Sequence, residues 1–169
     1  MPKPAVTEGA DGKPYVIGSL DVLYIRVWNQ ANLTGMFDVA PDGMISMSLV
    51  GEVKADGLTR AQLIDVLKAK LDECCLNDPQ VDVQVTKINS KEYLVTGEVN
   101  RPSDYPLVGK TTIFEALTIA GLRDTANKKK IYLLRGQQRF NFNYNEVVQG
   151  KNLKQDIPIE NGDRIIVPQ

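Results

Sequence analysis

The chain contains no histidine, so the side chain that most often activates a nucleophile is missing. No Ser, Cys or Lys lies in a recognisable nucleophile motif. Paired carboxylates can cleave a glycosidic bond, but the sequence does not give the separation of scattered Asp and Glu side chains in the fold. Their simplest interpretation is a solvated surface. We therefore predict no catalytic residues and a protein that is not an enzyme.

Cysteine is limited to the neighbours Cys74 and Cys75. A bridge between adjacent residues would close a strained ring, so we expect two free thiols, or a contact with another chain, rather than a disulfide framework. Without histidine or spaced cysteine pairs, a zinc site is not expected. A hard-cation site formed by carboxylates alone stays an open alternative, although no calcium-loop spacing occurs. The sequence predicts neither a metal nor a cofactor.

An excess of charge is also absent, because 20 Lys and Arg oppose 21 Asp and Glu. This balance has neither the basic excess of a nucleic-acid-binding protein nor the acidity of a solvating tail. No run approaches the roughly 18 to 20 apolar residues of a membrane-spanning helix, and the first residues lack the apolar stretch of a secretory signal. We predict no nucleic-acid partner.

What is present is ordinary globular composition, with 43% hydrophobic and 24% charged residues in 169, enough for one moderate core or two small ones. Residues 1–14 are rich in Pro, Gly and Asp and predict a flexible leader. Residues 15–89 and 90–169 each combine one predicted helix with a few strands, without the alternation of a parallel α/β sheet. The predicted fold class is α+β in two small domains.

The first predicted domain begins with a strand at residues 22–28, where aliphatic and larger side chains alternate. The residues expected to face away from the core are Tyr24, Arg26 and Trp28. Such side chains concentrate binding energy at contacts, so we interpret them as a candidate subunit interface or glycan contact. The alternative is that the other domain or the leader covers them.

The rest of this domain is predicted to be a β-meander with one helix. Turn-forming residues separate its short apolar runs, and these are Pro41, Asp42, Gly43 and Gly51. Residues 59–62 have the form of a capping box, and Leu63, Leu67 and Leu71 continue one apolar stripe to about residue 73. Residues 81–86 alternate valine with polar side chains and predict a half-buried strand.

In the second domain, residues 93–99 predict a strand and residues 100–106 a turn. A second capping box at residues 112–115 predicts a helix that Gly121 ends. Strands are then expected at residues 131–134, 139–144 and 165–167, the second with Phe140, Phe142 and Tyr144 on one face. One helix with these strands is typical of a β-grasp unit.

The letters VAPDGMI at 39–45, LVGEV at 49–53 and GLT at 57–59 resemble the N-terminal domain of the polysaccharide biosynthesis and export family. This outer-membrane export group carries capsule and exopolysaccharide. The letters VTGEV at 95–99, which include Gly97, with YP at 105–106 and GD at 162–163, resemble its soluble-ligand-binding β-grasp (SLBB) domain. The resemblance covers about residues 15–169, in the family's order. The glycines in these motifs suit turns or close backbone approach, so the motifs specify fold.

The resemblance implies a non-catalytic periplasmic subunit of a polysaccharide export channel, which assembles with copies of itself and guides polymer to the outer membrane. The implied partners are the polysaccharide and an inner-membrane polysaccharide co-polymerase. Family members are commonly lipoproteins, and some carry a C-terminal amphipathic helix that forms an outer-membrane pore. This chain has neither feature, so it is expected to be a trimmed form or a short member whose membrane step needs a lipid anchor or a partner.

The chain makes three departures from the family pattern, which usually has Pro-Gly at Ser19 and Leu20, Gly at Ser103 and a second Gly at Leu122. A residue other than glycine that keeps a left-handed backbone there costs on the order of 1 kcal/mol. Two alternatives to the export subunit stay open. One is a periplasmic adaptor that binds a ligand or glycan without forming a conduit, and the other is a glycan-active enzyme.

Overall fold

A computed structural model describes residues 8, 9 and 12–169. The chain divides into two compact units, Met1–Ser90 and Lys91–Gln169. Each unit combines β-sheet with α-helix, which confirms the predicted α+β fold class. Most of the predicted leader, namely residues 1–7, 10 and 11, lies outside the described residues. Of the remainder, Glu8 and Pro14 form an isolated antiparallel bridge.

Unit 1 contains five strands and one α-helix among its described residues. In chain order they are β1 (Val22–Val27), β2 (Gly35–Asp38), β3 (Met44–Met47), β4 (Gly51–Lys54), α1 (Arg60–Cys74) and β5 (Val81–Lys87). β1 lies between β2 and β5 in an antiparallel sheet, while β3 and β4 form a separate hairpin. The strands of the predicted meander are thus split at the turn where the Gly43 amide donates to the Ala40 carbonyl, over 2.8 Å.

Helix α1 begins and packs as its sequence predicts. The Thr59 hydroxyl accepts from the Gln62 amide, and the Gln62 side chain accepts from the Thr59 amide over 2.9 Å, completing a capping box. Leu63, Leu67 and Leu71 are fully buried. They join the inward-facing residues of β1 and β5 in one core, namely Leu23, Ile25, Val27, Val83 and Val85.

The cysteines differ from expectation, because Cys74 and Cys75 are joined by a disulfide. The expectation of two free thiols is therefore wrong. Adjacent side chains on a continuous helix diverge. Helix α1 ends at Cys74, and Cys75 leaves the helical conformation with φ −164° and ψ −11°. This break in the helix allows the two sulfur atoms to meet.

A buried carboxylate ties the ends of unit 1 together. Asp21 is fully buried and accepts from the Tyr15 hydroxyl over 2.6 Å. The backbone amides of Gly18, Asn89 and Ser90 also donate to it, over 3.0, 2.9 and 2.9 Å. Burial and the hydrogen bond to Asp21 raise the pKa of Tyr15. Four hydrogen-bond donors thus satisfy the buried carboxyl group.

Unit 2 contains five strands and two α-helices among its described residues. In chain order they are β6 (Glu92–Gly97), β7 (Ser103–Pro106), α2 (Ile113–Ala120), β8 (Ile131–Arg135), β9 (Gln138–Phe142), α3 (Tyr144–Val148) and β10 (Arg164–Val167). The sheet order is β7-β6-β10-β8-β9, and only the β10–β6 pair is parallel. Helix α2 has the predicted capping box at Thr112 and ends at Gly121 with φ 72°.

Two predictions for unit 2 are wrong in detail. Residues 103–106, which were predicted as a turn, form the edge strand β7. An edge strand tolerates a proline because its outer side forms no backbone hydrogen bonds to another strand. The strand predicted at 139–144 ends at Phe142, and Tyr144 instead begins helix α3. The reason is Asn143, whose side chain accepts from the Glu146 amide as an N-cap.

Candidate functional site

The antiparallel register of β1 and β5 places the three outward-facing residues in and just after β1 against polar partners. Tyr24 lies opposite Gln84, Arg26 lies opposite Asp82, and the Trp28 amide donates to the Gln80 carbonyl over 2.9 Å. We call this set the outer face, and its members are Tyr24, Arg26, Trp28, Gln80, Asp82 and Gln84. The sequence singled out the three residues in and just after β1 and missed their three partners in and just before β5.

The predicted alternation along β1 is confirmed. Leu23, Ile25 and Val27 are buried, whereas Tyr24 is half-buried and Arg26 is exposed. Trp28, just beyond the strand, is 65% exposed. A large aromatic side chain at that exposure leaves most of its ring surface in water. The role of Tyr24, Arg26 and Trp28 in a contact stays a prediction.

A small pocket of about 110 Å³ opens at one end of the outer face. Its walls are Arg26, Trp28, Gln80, Val81 and Asp82. The pocket therefore combines an aromatic ring, a guanidinium, an amide and a carboxylate within one shallow depression. This mixture suits a ligand that has both an apolar face and polar edges.

Asp82 is held in place from two directions. Arg60, in the first turn of α1, donates from Nη2 to Oδ1 over 2.8 Å, and the Gln84 side chain donates to Oδ2 over 3.2 Å. Partial burial raises the pKa of Asp82, but hydrogen bonds from Gln84 and Arg60 and the charges of Arg60 and Arg26 outweigh burial and lower it. Asp82 is consequently ionised at neutral pH.

The pocket is suited to binding rather than to glycoside cleavage. Glycosidases of both stereochemical classes use a pair of carboxyl groups, one of which stays protonated as the acid. Asp82 is the one carboxylate among the pocket's walls, and the neighbouring arginines keep it ionised. Among the described residues, no group of three or more acidic or Cys side chains could hold a metal ion.

The glycine and turn residues of the sequence motifs shape the backbone. The Met44 amide donates to the Asp42 carboxylate over 3.0 Å in the turn after Pro41, and Gly43 and Gly51 have φ of 83° and 80°. Gly97 has φ 95°, and a Cβ there would lie 2.1 Å from the Val167 carbonyl oxygen. These residues therefore form a turn and allow two strands to approach closely.

Unit 2 offers a second depression, a groove of about 480 Å³ beside α2. Val108, Phe114 and Ile119 supply its apolar surface, and Lys110 and Glu115 also line it. The sequence carried a signal for it, because Phe114 and Ile119 lie off the buried stripe of α2. In the described part of the chain, no helix is both long and apolar enough to cross a membrane.

Sequence comparison supports two family assignments in succession. Residues 9–86 match the model of the polysaccharide biosynthesis/export protein family, and residues 91–167 match that of the SLBB domain. These segments correspond to the two structural units in order. The chain therefore belongs to the polysaccharide biosynthesis/export family, with an export domain followed by an SLBB domain.

Three curated relatives illustrate the breadth of this similarity. The polysialic acid transport protein KpsD of Escherichia coli is 28% identical over 90% of this chain and 28% of its own length. The EPS I polysaccharide export outer membrane protein EpsA of Ralstonia nicotianae is 27% identical over 95% of this chain and 49% of its own length. The exopolysaccharide production protein ExoF of Rhizobium meliloti is 25% identical over 63% of this chain and 28% of its own length. The chain thus spans half or less of these relatives.

Proposed function

We propose that the protein is a non-catalytic subunit of a polysaccharide export assembly, placed in the periplasm and associated with the outer membrane. The observation that carries this proposal is the succession of an export domain and an SLBB domain over residues 9–167. Relatives named for transport or export of polysaccharide, from two genera, align with nine tenths or more of the chain. An export role is the function that these names share.

In this proposal the chain assembles with copies of itself and guides polymer from an inner-membrane polysaccharide co-polymerase to the outer membrane. Each unit has a compact folded interior and so can act as a rigid building block. In this proposal, neighbouring copies bury apolar side chains that are exposed on both units. The most exposed of them, apart from Trp28, are Met36, Leu49, Val148 and Leu153.

The open outer face fits contact with a moving polymer. A conduit needs weak, repeated contacts, because a substrate held in a tight pocket would not move on. Trp28 and Arg26 are exposed, and the pocket beside them is shallow and small. Such a face can touch successive sugar units without retaining any of them.

Deletion of the gene, with complementation by the full natural protein, tests the export role. We expect surface polysaccharide to fall sharply in the deletion strain and to return on complementation. Unchanged surface polysaccharide in the deletion strain would contradict the proposal. Light scattering on the full protein tests assembly, for which we expect a molar mass several times that of one chain.

The groove beside α2 favours a second candidate, a periplasmic adaptor that binds a ligand without forming a conduit. At about 480 Å³ the groove is within the size range of small-molecule sites, and Phe114 and Ile119 give it apolar walls. An adaptor would remain monomeric, and Ile119→Asp would abolish its ligand response. A conduit subunit would assemble, and its gene would be required for polymer to reach the surface.

A further inference from the structure

We infer that the pocket beside Trp28 binds one carboxylate-bearing pyranose unit of a polysaccharide, with the indole as stacking platform and the Arg26 guanidinium as partner of the sugar carboxylate. This inference rests on the proposed export function, which supplies a polysaccharide as ligand. It adds the chemical class of the sugar and the residues that contact it.

The first argument is the ring of Trp28. The side chain is 65% exposed, while its backbone amide is fixed by a hydrogen bond to Gln80. Among the described residues, no aromatic ring and no cation packs against the indole. A pyranose presents a face of C–H groups bordered by hydroxyls, which matches a flat, electron-rich surface with polar groups at its edge. The indole is therefore open to solvent and extends from a hydrogen-bonded segment of backbone.

The second argument is the charge of the pocket. Arg60 forms an ion pair with Asp82 over 2.8 Å, and Arg26 lies opposite the same carboxylate, so two guanidinium groups face one carboxylate and the site has a net positive charge. Arg26 is exposed and makes no hydrogen bond or ion pair within the described part of the chain. A guanidinium presents a planar fork of donors that matches a carboxylate. The charge complement of this site is therefore an anionic sugar.

The third argument concerns how the site recognises sugar hydroxyls and how tightly it binds. The Asp82 oxygens each accept one hydrogen bond in the structure and retain further acceptor capacity, and the Gln80 amide offers donors and an acceptor. The pocket of about 110 Å³ holds part of one sugar ring. It has no walls that could distinguish one glycosidic linkage from another. We expect dissociation constants on the order of 1 mM per site and little dependence on linkage.

Trp28 is the single tryptophan of the chain, so its fluorescence reports directly on the site. We would titrate the protein with oligomers of galacturonate, mannuronate and sialic acid, and with the methyl esters of the same oligomers. A saturable change in emission is expected with all three acids, at affinities about fivefold higher than with the uncharged esters. Added salt should lower the affinities for the acids toward those for the esters. Absence of a response to all three acids would overturn the inference.

Two variants assign the contacts. Arg26→Gln keeps the fluorescent reporter and should bring the affinity for each acid down to that for its ester. Trp28→Ala should abolish retardation of the protein in native gels that contain polygalacturonate or polysialic acid. Arg101→Gln, which removes an exposed charge in unit 2, serves as the matched control and should behave as wild type. Retardation that survives both outer-face substitutions would overturn the inference.

The same variants separate this inference from its rivals and from the export role. If Trp28→Ala lowers the molar mass of the assembly while acids never bind, the outer face is a subunit interface and the inference is wrong. If deletion of the gene abolishes surface polysaccharide but no acid binds, the saccharide site alone is overturned. If acids bind as expected but deletion leaves surface polysaccharide unchanged, the export role is overturned and the site stands.

Discussion

The Arg135 guanidinium donates to both carboxylate oxygens of Asp163, from Nε to Oδ1 over 3.0 Å and from Nη2 to Oδ2 over 2.7 Å. Arg135 ends β8, and Asp163 precedes β10, so the pair joins two neighbouring strands of unit 2. Asp163 is 1% exposed and also accepts from the Glu160 amide. The hydrogen bond to Asp163, aided by the charges of Asp163 and Glu160, raises the pKa of Arg135 despite partial burial.

Replacing Arg135 with methionine should destabilise the protein by about 3 kcal/mol, because it leaves a buried carboxylate without its cation. Urea unfolding followed by circular dichroism measures this loss. Lys129→Met removes an exposed cation in the same unit and should change the free energy of unfolding by less than about 0.5 kcal/mol. Equal effects of the two substitutions would show that the ion pair does not stabilise the fold.

Gly97→Ala should destabilise the fold more severely, by about 3 kcal/mol or more. The new Cβ would lie 2.1 Å from the Val167 carbonyl oxygen, where β6 pairs with β10, and its φ of 95° disfavours a side chain. Gly136→Ala is the matched control, since its φ is 57° but its Cβ would meet nothing within 4 Å. It should cost only about 1 kcal/mol. Thermal unfolding of both variants tests this difference, and equal midpoints would contradict the steric account.

Leu20→Gly should stabilise the protein by about 1 kcal/mol, because Leu20 has φ 73°, a left-handed conformation that Cβ opposes. Of the three departures from the family pattern, Leu20 alone has a positive φ, since Ser103 and Leu122 do not. Leu20→Ala keeps the Cβ and should therefore give no gain. Urea unfolding of the two variants separates backbone strain from side-chain loss, and a gain shared by both would contradict the argument.

Alkaline pH should reduce stability through Tyr93. Burial first, and then the neighbouring Tyr105 and Glu115, raise the pKa of Tyr93 from 10.0 to about 12. Between these values the unfolded chain loses the proton and the folded chain keeps it, so this contribution is complete below pH 10 and is lost as pH rises toward 12. As pH rises through that window, the free energy of unfolding of Tyr93→Phe should therefore fall by up to about 2 kcal/mol less than that of wild type. Urea unfolding at several pH values measures both losses. Parallel losses in both proteins would exclude this role for Tyr93.

Local features of the fold could be predicted from sequence. The capping boxes at Thr59 and Thr112 and the stop at Gly121 depend on residues within one helical turn, and all three occur as expected. The end of β9 was missed because alternating aromatic residues suggested a longer strand. The overriding signal, Asn143 three residues before Glu146, was itself local and could have been read as an N-cap.

The outer face could be predicted only in part, because it depends on a long-range pairing. Alternation along β1 was enough to orient Tyr24 and Arg26. That Asp82 lies opposite Arg26 follows from the β1–β5 register, which joins residues more than fifty positions apart and has no signature in either segment alone. The ion pair with Arg60 depends in addition on how α1 packs against the sheet.

The export role is tested most directly by locating newly made polysaccharide. In a strain that lacks the gene, pulse-labelled polymer should accumulate in the periplasm and be nearly absent from the cell surface, and the wild-type gene should restore its surface fraction. Complementation with Gly97→Ala, which is expected to destabilise the fold, should restore less surface polymer than complementation with Gly136→Ala. Normal appearance of labelled polymer at the surface of the deletion strain would contradict the export role.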